Sequence, residues 1–191
     1  DQACGENGLG RMIEAEEIVA ELIAHFQPKR LIGRKLLLTA GPTFEAIDPV
    51  RGITNLSTGK MGYAIARAAR EAGAEVTLVS GPVALPCPYG VSRIAVTSAL
   101  QMREAVLQRA AASEVFVAVA AVADYRPACP AEQKIKKDGR APAAVELVQN
   151  PDILAEVAAL AKPPLCVGFA AESHNLQEYA EKKRLSKKIP L

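Results

Sequence analysis

The sequence predicts a Rossmann-like, doubly wound α/β fold with a mostly parallel sheet and a small hairpin arm. Short continuous apolar runs alternate along the chain with helical patterns, and Gly-Pro pairs end two of the runs. Strands that are apolar on both faces belong to a parallel sheet with helices on each side. Ligands of such sheets bind beyond the carboxyl ends of the strands, near the switch point, so functional residues are expected there.

The first predicted element is an amphipathic helix at 14–26, where apolar residues recur at helical spacing beside glutamates. The segment 27–34 is a polar break that contains Pro and Gly, and we place a domain boundary near Arg34. The chain then divides into 1–34 and 35–191. Since it has neither an initiating Met nor a signal sequence, we expect a piece of a larger protein.

Strands and helices alternate after this boundary. Ser98 suits the N-cap of one helix, Gly73 the stop of another and Pro151 the first turn of a third. The predicted strands are 35–40, 75–80, 92–96, 114–120 and 165–170, and the predicted helices are 60–72, 98–111, 151–160 and 175–186. Residues 44–58 read as a long loop with few glycines, and Ile135 with the run 145–148 reads as the hairpin arm.

Composition and charge argue against several classes of protein. The 23 Lys and Arg residues against 21 Asp and Glu give a net charge of +2, which is too small to suggest a nucleic-acid surface. The apolar run 115–123 is shorter than the ~20 residues that a membrane span needs. The four cysteines lie far apart without a C-x-x-C pair, which argues against a zinc ribbon or a disulfide scaffold and fits a reducing, cytoplasmic compartment.

The loop after the first strand lacks the common phosphate motifs, because neither G-x-G-x-x-G nor G-x-x-x-x-G-K-[ST] is present. Ser57, Thr58 and Gly59 nevertheless precede a helix, where backbone N–H groups and the helix dipole can cradle a phosphate. An ordinary N-cap at Ser57 or Thr58 explains the same residues. Asn55 is either a turn residue bonded to its own backbone or an amide that holds a carboxylate or a developing oxyanion.

Other polar residues have two readings as well. Asp124 follows the strongest predicted strand and either handles a metal or ribose or caps a turn. The charged runs 132–137 and 182–188 are either solvated faces or lysines that contact a polyphosphate. His25 and His174 each stand alone, so neither indicates a metal site or a catalytic triad.

Five motifs follow one another in the chain: GPTFEAIDPVRGITNLSTGKMG, AAVADYRP, EQKIKK, VQNPDIL and VGFAAES-x-N. Together they resemble the phosphopantothenate–cysteine ligase (phosphopantothenoylcysteine synthetase) domain of bacterial bifunctional coenzyme A biosynthesis proteins, from about Lys35 to Lys187. The resemblance implies that CTP activates 4′-phosphopantothenate as an acyl-cytidylate, which the amine of cysteine then attacks. Mg²⁺ would offset the charge of the triphosphate.

The resemblance also implies roles for individual residues. Asn55 would hold the substrate carboxyl and the acyl-cytidylate, Lys134 would bind the nucleotide and serve the first step, and Arg51 would contact phosphopantothenate. Asp124 would contact the nucleotide, directly or through the metal. The remaining nucleotide contacts would be Ala118, Val119, Ala120, Pro151, Asp152, Ile153, Leu154, Phe169, Lys183 and Lys187.

The first residues, around Cys4, resemble the last motif of the partner domain, the FMN-dependent phosphopantothenoylcysteine decarboxylase. In that family this cysteine is the proton donor, so 1–34 would be a remnant of the decarboxylase plus a linker. The resemblance further implies a homodimer through the arm at 134–148 and a higher oligomer in the parent protein. The family continues beyond Lys188 with another strand, so we expect an exposed sheet edge here.

Two other functions compete with this reading. A non-catalytic, nucleotide-binding regulatory module would need neither Asn55 nor Lys134, so their presence favours the enzyme. A short-chain NAD(P) oxidoreductase would need a glycine fingerprint and a Tyr-x-x-x-Lys pair. The fingerprint is absent, and no strand with a catalytic Ser precedes Tyr179 and Lys183.

Overall fold

A parallel five-stranded sheet forms the centre of the computed structural model, which describes residues 12–136, 144–170 and 175–190. Cys4 and His174 lie outside the described residues. The elements are α1 (Ala15–Phe26), β1 (Lys35–Ala40), β2 (Phe44–Ala46), β3 (Gly52–Thr54), α2 (Lys60–Glu71), β4 (Glu75–Ser80), β5 (Ser92–Ala95), α3 (Ala99–Ala110), β6 (Val115–Ala118), β7 (Tyr125–Pro127), β8 (Leu147–Gln149), α4 (Ile153–Ala158), β9 (Leu165–Gly168) and α5 (Leu176–Ser186).

The central sheet has the strand order β5-β4-β1-β6-β9, and each neighbouring pair is parallel. The chain builds outward from β1 through β4 to β5, then returns to the other side of β1 with β6 and β9. The switch point therefore lies between β1 and β6, where a doubly wound sheet opens a crevice. The predicted Rossmann-like α/β fold is confirmed.

Helices cover both faces of this sheet because its strands are apolar on both sides. Leu36 and Leu38 of β1 pack in one cluster with α2, and Leu37 packs in a second cluster with α3 and α4. Alternate residues of β1 thus pack into two separate hydrophobic cores, one on each face of the sheet. The buried side chains on these helices include Tyr63, Ala66 and Ala69 of α2, Met102, Val106 and Ala110 of α3, and Ile153, Leu154 and Val157 of α4.

Helix α2 packs very close to β1 through Gly62. A Cβ atom on Gly62 would lie 2.5 Å from the Cβ of Ala40, so a side chain has no space there. The helix begins after Gly59, whose φ of 74° lies in the left-handed region that glycine adopts without strain. The two glycines bring the N-terminus of α2 to the carboxyl end of β1.

Three details of the sequence-based prediction are wrong. The segment 44–58 is not a plain loop, because β2 and β3 pair in it as an antiparallel hairpin. The segment 145–148 does not pair with Ile135, because β8 pairs with β7 instead. The helix predicted at 151–160 begins at Ile153, and Asp152 caps it by accepting from the N–H of Ala155 at 3.0 Å.

The N-cap prediction for Ser98 is confirmed, because its hydroxyl accepts from the N–H of Gln101 at 3.3 Å. Glu45 of β2, which is 3% exposed, also accepts from the N–H of Ala99 at the start of α3. This bond fastens the β2–β3 hairpin to the N-terminus of α3. None of the helices in the described ranges combines the length and the apolar character needed to cross a bilayer.

Candidate functional site

A cavity of about 520 Å³ lies at the carboxyl ends of β1 and β6, beside the switch point. Its walls also come from the end of β3, the segment after β6, the start of α4 and the end of β9. This is the location that the fold class predicts for a ligand. Ten of the residues selected from the sequence line it: Asn55, Ala118, Ala120, Asp124, Pro151, Asp152, Ile153, Leu154, Phe169 and Lys187.

The cavity combines an apolar part with charged groups. Phe116, Ile153 and Leu154 contribute buried apolar side chains. Asp124 contributes a carboxylate, and Lys187 an ammonium group. An apolar wall with a few polar groups is typical of sites that bind small molecules with a flat ring and a charged end.

Backbone groups of the segment 119–123 are held in place by two buried threonine hydroxyls. Thr39 accepts from the N–H groups of Val119 and Ala120, both at 3.2 Å, and Thr43 accepts from that of Ala123 at 3.0 Å. Val119 does not line the cavity; its N–H is directed at Thr39. The sequence analysis missed both threonines because Thr is an ordinary strand residue.

The side-chain amide of Asn55 crosses from the end of β3 to this same segment. Its Nδ2 donates to the carbonyl oxygens of Ala121 at 3.1 Å and Val122 at 3.2 Å. The alternative reading, in which Asn55 bonds its own backbone in a turn, is therefore wrong for its side chain. Asn55 is fixed at the rim of the cavity, where it can reach a bound carboxyl group.

Asn150, which is 8% exposed, holds the residues around Asp124. Its side-chain amide donates to the carbonyl of Ala123 at 2.8 Å, and its backbone N–H donates to that of Asp124 at 2.8 Å. Arg126 donates to its Oδ1 at 3.1 Å. Sequence reasoning placed Asn150 only before a helix; a polar residue between a strand and Pro151 was the available signal.

Asp152 and Lys187 form an ion pair at the cavity, with Nζ and Oδ2 2.8 Å apart. Burial by itself would raise the pKa of the Asp152 carboxyl. The bonds from Lys187 and from the N–H of Ala155 outweigh burial and lower this pKa below its usual range. The pair brings α5 to the start of α4 and places a cation at the cavity.

The N-terminus of α2 lacks the side-chain cap that one interpretation of the sequence gave to Ser57 or Thr58. Gly59 is the N-cap residue, and no side chain caps this helix; Ser57 accepts only weakly from the N–H of Gly59, at 3.4 Å. The reading of Ser57 or Thr58 as an N-cap is wrong. The segment Ser57, Thr58 and Gly59 lies outside the cavity lining, and its role as a phosphate cradle remains a prediction.

Lys134 and Arg51 lie at the turn of the β2–β3 hairpin. Asp48, which is 2% exposed, accepts from Arg51 and from the N–H of Ile135, and Arg51 donates to the carbonyl of Ile135 at 2.9 Å. Hydrogen bonding from Arg51 lowers the pKa of Asp48 far below its usual range. Lys134 is exposed and lines no cavity in this region, so the structure does not join it to Asn55 and Asp124 within one chain.

Lys183 lines a neighbouring cavity of about 480 Å³ between α5 and β9, which shares Leu154, Phe169 and Lys187 with the first. No cluster of three or more metal-binding side chains exists among the described residues. Asp124 nevertheless suits Mg²⁺, because this ion is commonly held by one or two carboxylates together with substrate phosphates.

Comparison with known proteins places the chain in a family. The DNA/pantothenate metabolism flavoprotein C-terminal domain matches residues 31–191. The coenzyme A biosynthesis bifunctional protein CoaBC of Vibrio cholerae is 54% identical over all of this chain, and that of Escherichia coli K12 is 50% identical. The chain covers 48% of each of these relatives, about half of their length.

Comparison with solved structures agrees with this similarity. The crystal structure of the C-terminal domain of CoaBC has a TM-score of 0.73 and 46% identity, covering 83% of this chain and 75% of that one. The DNA/pantothenate metabolism flavoprotein from Streptococcus pneumoniae has a TM-score of 0.71 and 26% identity, covering 82% and 80%. The Cab2 mutant H337A in complex with phosphopantothenate-cysteine shares the fold at 15% identity and a TM-score of 0.68, covering 91% and 76%. The chain belongs to the family of the DNA/pantothenate metabolism flavoprotein C-terminal domain.

Proposed function

We propose that this chain catalyses the CTP-dependent ligation of 4′-phosphopantothenate to cysteine in coenzyme A biosynthesis. The observation that carries the proposal is the cavity at the β1–β6 switch point, where Asn55, Asp124 and Lys187 meet. Relatives named for coenzyme A biosynthesis match the chain along its whole length, which supports the same pathway. A carboxylate is a poor electrophile, so joining it to an amine requires activation by a nucleotide.

The reaction has two steps. A carboxylate oxygen of 4′-phosphopantothenate attacks the α-phosphorus of CTP, the bond to pyrophosphate breaks, and an acyl-cytidylate forms. The amine nitrogen of cysteine then attacks the acyl carbon, the bond to CMP breaks, and the amine loses a proton as the amide forms. Charge builds on the leaving pyrophosphate in the first step and on the acyl oxygen in the second.

The nucleotide would occupy the main cavity. The base would lie against the apolar wall that includes Phe116 and Leu154, beside the backbone of Ala118 and Ala120. Pro151, Ile153 and Phe169 would complete the wall, while Lys187 and, from the adjoining cavity, Lys183 would contact the phosphates. Asp124 would hold Mg²⁺, which supplies the charge compensation that a triphosphate needs.

Asn55 would act mainly in the second step. Its amide hydrogens bond the carbonyls of Ala121 and Val122, which orients the group at the rim. The acyl oxygen, as it gains negative charge, would be a stronger acceptor than either carbonyl and would draw one of these hydrogens to itself. Asn55 would thus stabilise the oxyanion, while the other hydrogen keeps the amide in place.

Lys134 would act in the first step from a second subunit. Lys134 directly precedes Ile135, which bonds to Asp48 and Arg51 of the hairpin turn, and it lies outside the cavity of its own chain. A homodimer through the arm at 134–148 would bring Lys134 of one subunit to the triphosphate of the other. Arg51, on the same turn, would contact phosphopantothenate in this arrangement.

The parent protein would have further activities. Cys4 would be the proton donor of an FMN-dependent decarboxylase that acts on the ligase product, within a higher oligomer. With this function we expect a cytoplasmic location, and we expect neither nucleic acid nor a membrane as a partner.

The test separates the two steps. Pyrophosphate release should require CTP and 4′-phosphopantothenate but not cysteine. Lys134→Ala should abolish this release, whereas Asn55→Ala should preserve it and block amide formation; Gln133→Ala, beside Lys134 and equally exposed, is the matched control. If CTP binds but pyrophosphate is never released, the chain is a regulatory module instead. Equal loss of both steps in Asn55→Ala would contradict its assigned role.

A further inference from the structure

Thr39 lies where the pairing of β1 with β6 ends. Its register partner is Ala118, the last residue of β6, and it is 3% exposed. Beyond this point its hydroxyl replaces the strand ladder, because Oγ1 accepts from the N–H groups of both Val119 and Ala120 at 3.2 Å. One side chain thus fixes two successive residues at the cavity.

The hydrogen-bonding capacity of this hydroxyl is only partly used. A threonine hydroxyl has two acceptor lone pairs and one donor. The two N–H groups occupy the lone pairs, and none of the residues that the structure describes accepts the remaining hydrogen. Thr39 lines the cavity together with Phe116 and Ala118. Because buried donors are nearly always partnered, an acceptor atom of a ligand in the cavity is suited to complete the set.

We propose that Thr39 is a positioning residue for the nucleotide: it fixes the backbone of Val119 and Ala120 and offers its own hydrogen to an acceptor atom of the bound base. The inference rests on the proposed function, because it takes the ligand of this cavity to be CTP. Cytosine carries a ring nitrogen and a carbonyl that accept hydrogen bonds. An apolar wall with a single hydroxyl donor suits such a ring.

A matched pair of substitutions tests this role. Thr39→Val keeps the shape of the side chain and removes the hydroxyl, whereas Thr39→Ser keeps the hydroxyl and removes the methyl group. In calorimetric titrations of the 191-residue chain with CTP and Mg²⁺, Thr39→Val should raise Kd about tenfold, the equivalent of ~1.4 kcal/mol. Thr39→Ser should bind CTP as the wild type does, and the Kd for 4′-phosphopantothenate should be unchanged in both variants.

Each outcome has one meaning. If the wild type does not bind CTP, the proposed function fails and this inference falls with it. If the wild type binds and Thr39→Val binds equally well, or if both variants lose affinity alike, only the inference on Thr39 is wrong. Should Thr39→Val not fold, amide hydrogen exchange in the wild type decides. CTP should slow exchange at Val119 and Ala120 further, and unchanged exchange would overturn the proposal.

Discussion

Replacing Gly62 by Ala should destabilise the protein, although it removes a glycine from a helix. On helix propensity alone the substitution would stabilise α2 by up to about 1 kcal/mol. The new Cβ would, however, lie 2.5 Å from the Cβ of Ala40 and 3.2 Å from its Cα. Carbon atoms in contact are ~3.5–4.0 Å apart, so the overlap is about 1 Å. Both Cβ atoms are fixed to backbone, so no rotamer change relieves it and α2 must move away from β1.

Overpacking of this kind typically costs about 1–3 kcal/mol, so we expect the steric term to exceed the propensity gain. Urea unfolding should show a lower midpoint at an unchanged slope, with a net loss of about 1 kcal/mol or more. Ala68→Gly, at an exposed position of the same helix, measures the propensity effect alone. The loss in the double variant Ala40→Gly/Gly62→Ala should be smaller than the sum of the two single losses. A midpoint at or above that of the wild type in Gly62→Ala would refute the reasoning.

Three further predictions concern stability and binding. Ser98→Ala removes the cap of α3 and should cost about 1 kcal/mol in urea unfolding; a loss near zero would mean that Glu45 alone serves this helix end. Asn150→Ala removes a buried amide and should cost about 1–3 kcal/mol and weaken CTP binding, whereas the exposed control Gln133→Ala should change neither. The pKa of the Asp152 carboxyl is lower in the folded than in the unfolded chain. The charged carboxylate therefore stabilises the fold at pH values above the ordinary carboxyl pKa of ~3.9, and this contribution is lost as the pH falls through the folded pKa. In Asp152→Asn the free energy of unfolding should therefore fall less between neutral and acidic pH than in the wild type. An equal fall in both proteins would contradict the stabilising effect of the ion pair with Lys187.

The central sheet could be predicted from the sequence because local signals agree with the tertiary structure. The bounds of β1 and β4 match the expected strands at 35–40 and 75–80, where continuous apolar runs stop at Gly-Pro. After the exposed first residues Lys35 and Glu75, both strands are buried or half-buried on both faces, so one rule covers the rest of each strand. Where burial on both faces extends along nearly a whole strand, the first and last residues of the strand can be predicted from the sequence.

The β2–β3 hairpin was missed because its polar residues resemble a loop. Glu45 and Asp48 are 3% and 2% exposed, which local pattern alone does not suggest. Their partners lie far along the chain: Glu45 accepts from Ala99, and Asp48 accepts from Ile135 as well as from nearby Arg51. Burial of a carboxylate depends on such partners, and their positions are set only by the folded chain.

The candidate site also contains residues that the sequence indicates and residues that only the folded structure reveals. Asp124 could be selected because it follows a strand of the parallel sheet, and Asn55 because it precedes small residues at the start of a helix; both line the cavity. Asn150 and the two threonines could not, because their importance comes from the backbone groups that they bond. The proposed role of Lys134 would require a dimer, which the sequence of one chain does not specify.

The segment 119–123 lies beside both Asn55 and the cavity proposed for the nucleotide. The N–H groups of Val119, Ala120, Ala121 and Ala123 donate to Thr39, Gly41 and Thr43, so the strand ends here without leaving these donors unsatisfied. Its carbonyls at 121 and 122 accept from Asn55, and the same stretch lines the cavity proposed for the nucleotide. The amide that would receive the acyl oxygen is therefore positioned by the backbone that would receive the base. Because one segment contacts both, a change in its backbone should affect nucleotide binding and the position of Asn55 together.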